Sequence, residues 1–425
     1  MAIRLQVLSP LQTSTENIVP YRLVPVRLAR AVDGFTDDTA PDLDDHGNLP
    51  TSFCQAHGPV VGVMPTKTIR VQVVRDRLEA ATNLFVTTDD AAKVAIDFPP
   101  AGQAIPAADG FVNSIFRQGN CIFLTGGNVT ADDETLVKIR ANAADGPVLA
   151  ELSVRIYPKI TINVKAHTVT INGIGPNVTM QRFTDLFADV NKIYAQAGIE
   201  FVLDPTLSAE AVNGFANNGS VTLTNIDDSR NTELQTVLRQ NSAAGMLNAY
   251  AISAYQDITQ PAGPNQFRVL GIAFSQDDAT NNPAEPARNF PGAQAGITFR
   301  DNADQHKLAH TIAHEIGHSL RLQHYNLGNG SNNRPTDQRE DIWCHRCLMY
   351  NIVVLLPTIG HPGDFRANNF YKSSNERIDI GYGVWDDGRI ATGQLLMTKL
   401  RDGIEQSDQV SIVRASANAG TCFPV

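Results

Sequence analysis

Three histidines and a glutamate are spaced as a metal-dependent hydrolytic centre needs them. His314 and His318 stand four apart, Glu315 follows the first, and His324 lies six residues beyond the second. An α-helix turns about 100° per residue, so imidazoles four apart point the same way one turn along and can grip one ion. Catalytic zinc takes three protein ligands and leaves a fourth position to water, which a neighbouring carboxylate can deprotonate. The donor set predicts one catalytic Zn2+ on His314, His318 and His324, with Glu315 as general base. A helix that simply continued would carry His324 roughly 240° round from His318. The chain must turn between them. His306 and His310 extend the ladder of histidines at four-residue spacing. One ion cannot span three turns, so these two are expected to support the ligands or to lie at the surface.

The flanking residues say what carries the motif. Leu308, Ile312 and Ile316 lie four apart, and Ala309, Ala313 and Leu320 widen the stripe, which predicts a buried amphipathic helix over residues 304–320. Further upstream, Phe183, Leu186, Phe187, Val190, Ile193, Tyr194 and Ala197 mark a second helix over residues 179–197, with Thr179 as cap and Gly198 as stop. A strand over Ile199–Leu203 follows. Apolar runs predict further strands at Leu247–Ser253 and Val269–Phe274.

At these residues the chain resembles the metzincin metalloproteases, whose long motif is HExxHxxGxxH. Here it reads His314-Glu315-Ile316-Gly317-His318-Ser319-Leu320-Arg321-Leu322-Gln323-His324. Arg321 stands where the family places the glycine that lets the helix end in a left-handed conformation. An arginine there costs on the order of 1 kcal/mol in backbone strain. Cys347-Leu348-Met349-Tyr350 resembles the family's methionine turn, 25 residues after His324, which implies that Met349 floors the site by packing and does not bind the ion. The tyrosine ligand of some members falls at Asn351, so none is carried over. The resemblance also implies that the strand before the zinc helix, with Ala295, Gly296 and Ile297, is the sheet edge on which extended peptide pairs. It extends over residues 159–405, with a first strand at Lys159–Asn163 or His167–Ile171, the strand before the zinc helix at Ala293–Phe299 and a closing helix at residues 392–404, and it implies a zinc endopeptidase acting on protein or peptide substrates.

Net charge of −10 argues against nucleic acid or an anionic membrane as principal partner. No run approaches the apolar length of a membrane span, because Ile352–Leu356 is broken by Pro357. Metzincins normally work outside the cell, so a secreted or otherwise exported protein is expected, although Met1–Pro10 shows no apolar core of a signal peptide. Residues 1–157 have a different texture. Thr68–Val74, Phe85–Thr87, Val94–Phe98, Ile122–Leu124, Thr135–Ala141 and Leu149–Tyr157 are short alternating or β-branched runs between Gly, Pro, Asn and Asp clusters. The predicted fold is multidomain: an N-terminal all-β sandwich of immunoglobulin type with an N-terminal arm (1–157), then an α+β metzincin-like metalloprotease domain (158–425).

Five cysteines cannot all pair within one chain. Cys344 and Cys347, with His345 between, are open to a disulfide, to a bridge with Cys422, or to a second metal site that lacks a matching partner pair. In some metzincins an N-terminal cysteine blocks the zinc; Cys54 is the candidate here, without a latency motif around it. Calcium has weaker grounds, since Asp277, Asp278, Asp386 and Asp387 are adjacent acidic pairs of the kind usually found in solvated loops. Two rivals stay open. One is a gluzincin-like peptidase with Glu340 or Asp341 as third ligand, although residues 336–343 are rich in loop formers. The other is a binding or adhesion protein with an impaired metzincin-like domain, against which stands the intact Glu315, because a structural zinc site prefers four protein ligands and needs no base.

Overall fold

The computed structural model describes residues 3–7, 60–76, 83–99, 101–104, 113–115, 121–223, 232–257, 269–274, 294–301, 305–322, 348 and 409–424. The chain divides into two compact units, one comprising Met1–Lys159, Ala195–Gly198 and His324–Ser411, the other Ile160–Tyr194, Ile199–Gln323 and Ile412–Val425. Among the described residues no helix is long and apolar enough to cross a membrane.

The first unit is β-rich. Its strands are β1 (Ile3–Val7), β2 (Val60–Val63), β3 (Thr68–Asp76), β4 (Asn83–Thr88), β5 (Val94–Asp97), β6 (Gln103–Ala104), β7 (Asn113–Ile115), β8 (Cys121–Gly126), β9 (Asp133–Ala141) and β10 (Val148–Ile156). One sheet runs β1-β3-β8-β5 with β7 also on β3, and the other runs β2-β10-β9-β4-β6. Alternation decides which way each strand faces. In β9, Val137 and Ile139 are buried while Lys138 and Arg140 lie outward, where Lys138 Nζ meets Asp89 at 2.7 Å. Strands β9 and β10 pair antiparallel as a hairpin, with Val137 opposite Leu152. The arm before residue 60, which has no strand pattern of its own, contributes β1 to the edge of β3.

The second unit is α+β. Its strand β11 (Ile160–Ile171) joins into one 12-residue element the two segments between which the sequence offered a choice. Helix α1 (Met180–Tyr194) follows, capped by Thr179, whose hydroxyl accepts the Arg182 amide at 3.2 Å. A 3-10 turn (Ala195–Ala197) and Gly198 at φ 66° end it. Then come β12 (Ile199–Leu203), β13 (Ser208–Val212), β14 (Ser220–Leu223), α2 (Thr232–Leu238), β15 (Leu247–Ile252), β16 (Ala254–Asp257), β17 (Gly271–Phe274), β18 (Gly296–Arg300), α3 (Gln305–Ser319) and α4 (Gln409–Ala419). The sheet order is β12-β11-β15-β18-β17, with β13 also on β11. All its pairings are parallel except β17 against β18.

The order corrects one expectation. The segment with Ala295, Gly296 and Ile297 is not the sheet edge: Ile297 pairs with Ala249 of β15 on one side and Ala273 of β17 on the other. Its burial explains why, since Gly296, Ile297, Thr298 and Phe299 are all buried, the pattern of a strand covered on both faces. The outer strand on that side, among the described residues, is β17. The expected helix at 392–404 lies outside the described residues, and the last described helix is α4.

A polar network is buried in the sheet. His167 is fully buried, stacked on Tyr250 at 4.2 Å, with Nδ1 3.3 Å from Glu210 Oε1 and Nε2 3.0 Å from Asn248 Oδ1. Asn248 has its orientation set by the backbone: Oδ1 accepts the Ala243 amide and Nδ2 donates to the carbonyls of Ala243 and Met246. His167 must therefore donate from Nε2. Burial lowers the His167 pKa against the raising effect of its Asn248 and Glu210 contacts.

Candidate metal centre

Helix α3 is held before it is functional. It packs on α1, β17 and β18. Leu308, Ala309, Ile312, Ala313 and Ile316 are all buried, as their spacing predicted. The fully buried Tyr194 of α1 donates its hydroxyl to the Ala313 carbonyl at 2.8 Å. Gln305 accepts a hydrogen bond from Arg182 and donates to Asp189 at 3.1 Å, tying the start of α3 to α1. At the other end the Ser319 hydroxyl donates to the Phe274 carbonyl of β17 at 3.2 Å, and the Thr421 hydroxyl donates to the Ser319 carbonyl at 3.1 Å.

The three motif residues on α3 lie together. The His314 and His318 rings are 4.9 Å apart and nearly perpendicular, at 85°. The His310 ring lies one turn back, 6.2 Å from that of His314 and tilted to it by 39°. His318 Nδ1 lies 2.8 Å from the Leu322 carbonyl, which can only accept. That contact assigns the ring proton to Nδ1 and the lone pair to Nε2, the arrangement a metal-binding imidazole needs. Glu315 is buried, and desolvation pushes its carboxyl up to about 8. A cation beside it would act in the opposite direction, favouring the carboxylate.

Beyond His318 the helix ends in a Schellman motif. Leu322 N donates to Gly317 O at 2.8 Å, Arg321 N donates to His318 O at 2.9 Å, and Arg321 sits at φ 68°. The non-glycine residue thus takes the left-handed conformation, and the chain turns between His318 and His324 as the ligand geometry demands. His324 itself lies outside the described residues, as do Met349, Cys54, Cys344 and Cys347. Among the described residues no group of three His, Cys, Asp or Glu side chains is placed to hold a metal ion. The two imidazoles, the fixed tautomer and the buried carboxylate fit a zinc ion, and among the described residues no third donor joins them. Cys422 is a buried free thiol whose pKa burial raises to about 12.

Residues 180–325 match the model of the Metallo-peptidase family M12B Reprolysin-like. The match marks a metallopeptidase domain. Its span begins at α1 and ends just past the turn at Arg321, so it takes in the motif helix and the strands of its sheet other than β11. No curated protein matches the chain. Among solved structures, the fibronectin(III)-like modules of Clostridium thermocellum CbhA share 11% identity, over 23% of this chain and 84% of that one, with a TM-score of 0.12. WR4, a C. elegans MSP family member, shares 8% over 23% of this chain and 90% of that one, with a TM-score of 0.13. Outside the metallopeptidase domain these two likenesses define neither fold nor activity.

Two contributors are not legible from spacing. Periodicity marks Tyr194 as an apolar helix position and says nothing of where its hydroxyl goes. Gly271, inside an apolar strand run, carried the signal of a close approach, since glycine in a strand interior marks such a site. Its neighbour was not legible.

Proposed function

We propose that the metallopeptidase domain is a zinc-dependent endopeptidase in which His314, His318 and His324 hold the ion and Glu315 is the general base. The observation that carries this is the Schellman turn at Arg321, which redirects the chain immediately after two imidazoles and a buried carboxylate on one helix. The ion, when bound, supplies Lewis acidity toward the scissile carbonyl. Glu315 takes a proton from the attacking water and returns it to the departing amine. The Leu322 carbonyl holds His318 in its binding tautomer, and Met349 packs beneath the site. An extended peptide is received along β17, the outer strand among the described residues, whose second edge has no partner strand among them, while Ile272 and Phe274 face inward. The first unit is a β-sandwich of immunoglobulin type that binds or presents rather than cleaves.

The test replaces Glu315 with Gln and measures bound zinc beside cleavage of an unfolded protein such as casein. Zinc content should stay unchanged while cleavage falls by about 10²–10⁴-fold. Retained zinc with undiminished cleavage overturns the assignment. Anomalous diffraction at the zinc edge on His324→Ala then separates His324 from Glu340 or Asp341 as third ligand.

A further inference from the structure

Strand β17 begins at Gly271, its one residue without a side chain. A Cβ added there would lie 2.5 Å from Glu315 Cγ, 2.8 Å from Oε1 and 2.9 Å from Cδ. All three nearest atoms belong to one side chain. Gly271 is not among the glycines with positive φ, so its backbone would accept any L-residue, and the glycine answers to space instead of torsion.

Nothing nearby can yield cheaply. The strand is pinned by the Gly271–Phe299 pairing and by Arg300 N donating to Leu270 O at 2.9 Å. On the helix side, Ile312, Ala313 and Ile316 around Glu315 are fully buried. Because the closest atom is Cγ, near the root of the side chain, relief requires a new χ1 instead of a shift of the tip. A helix offers only two common χ1 wells, so the carboxylate would swing to a different place.

We infer that Gly271 is a positioning residue, whose missing side chain is the space that fixes the Glu315 carboxylate between β17 and α3. This rests on Glu315 being the general base. The experiment is a cycle of Gly271→Ala, Glu315→Ala and the double variant, alongside Glu315→Gln. In the zinc-loaded protein, Gly271→Ala should lose about 100-fold or more in kcat with zinc content unchanged, because a displaced base forfeits much of the roughly 10²–10⁴-fold that proton transfer by a positioned side chain contributes. In the metal-free protein, Gly271→Ala should lower the melting temperature, and that loss should vanish when Glu315 is also Ala. If Gly271→Ala fails to fold, a double variant that folds like Glu315→Ala supports the inference, and one that also fails overturns it. An unchanged kcat, or the same melting loss in both backgrounds, overturns it too. Undiminished cleavage by Glu315→Gln instead brings down the base assignment, so the two failures are distinguishable.

Discussion

Arg321 shows how a single residue can be wrong for its own backbone and right for its place. Its φ of 68° is a conformation that costs an L-residue about 1–2 kcal/mol, yet here it closes both hydrogen bonds of the Schellman turn. Arg321→Gly removes that strain and adds glycine's larger entropy loss on folding, about 0.5–1 kcal/mol. The net expectation is a gain of about 0.5–1 kcal/mol in urea unfolding of the metal-free protein, with zinc content retained. A loss of stability would mean that the arginine side chain contributes more than its torsion costs. At this scale the sequence was most legible where spacing enforced geometry, since two ligands on one helix and a third six residues on require a turn. It was least legible for Gly271, because the glutamate it accommodates lies 44 positions away and only folding brings them together.

At the scale of elements, helices and strands were readable from periodicity, but their neighbours were not. Val269–Phe274 and Ala293–Phe299 look alike as apolar runs, and nothing local says which is inner; pairing on both sides of β18 decides it. The arm before residue 60 was opaque for the same reason, since β1 finds its register only on β3. Within the sheet, Asn248 joins β15 to β11 through His167 and to the segment before it through three backbone contacts. Asn248→Leu leaves those buried groups without partners and should cost about 3 kcal/mol or more in guanidinium unfolding. A change under about 1 kcal/mol would show that the network is solvated after all. Where β12 ends, Asp204 accepts hydrogen bonds from the Thr206 hydroxyl and amide and from Lys165, which depress its pKa from 3.8 to about 2. Its stabilising contribution is fully present above pH 3.8 and is lost as pH falls through about 2. Melting temperatures of wild type and Asp204→Asn should therefore differ at pH 5 and converge towards pH 2.

For the whole molecule, the helix that carries His314, Glu315 and His318 lies inside one compact unit. A chelator should abolish casein cleavage and lower the calorimetric melting temperature, and added zinc should restore both. A melting temperature that chelator leaves unmoved would show that no ion braces the fold. The contact between Thr421 and the Ser319 carbonyl joins residues 102 positions apart. On the ribosome, at about 5–20 residues per second, helix α3 emerges roughly 5–20 s before the residue that covers its end. Order of synthesis thus leaves the Ser319 carbonyl without its Thr421 partner in the nascent chain, so the end of the motif helix is completed by a part of the chain made well after it.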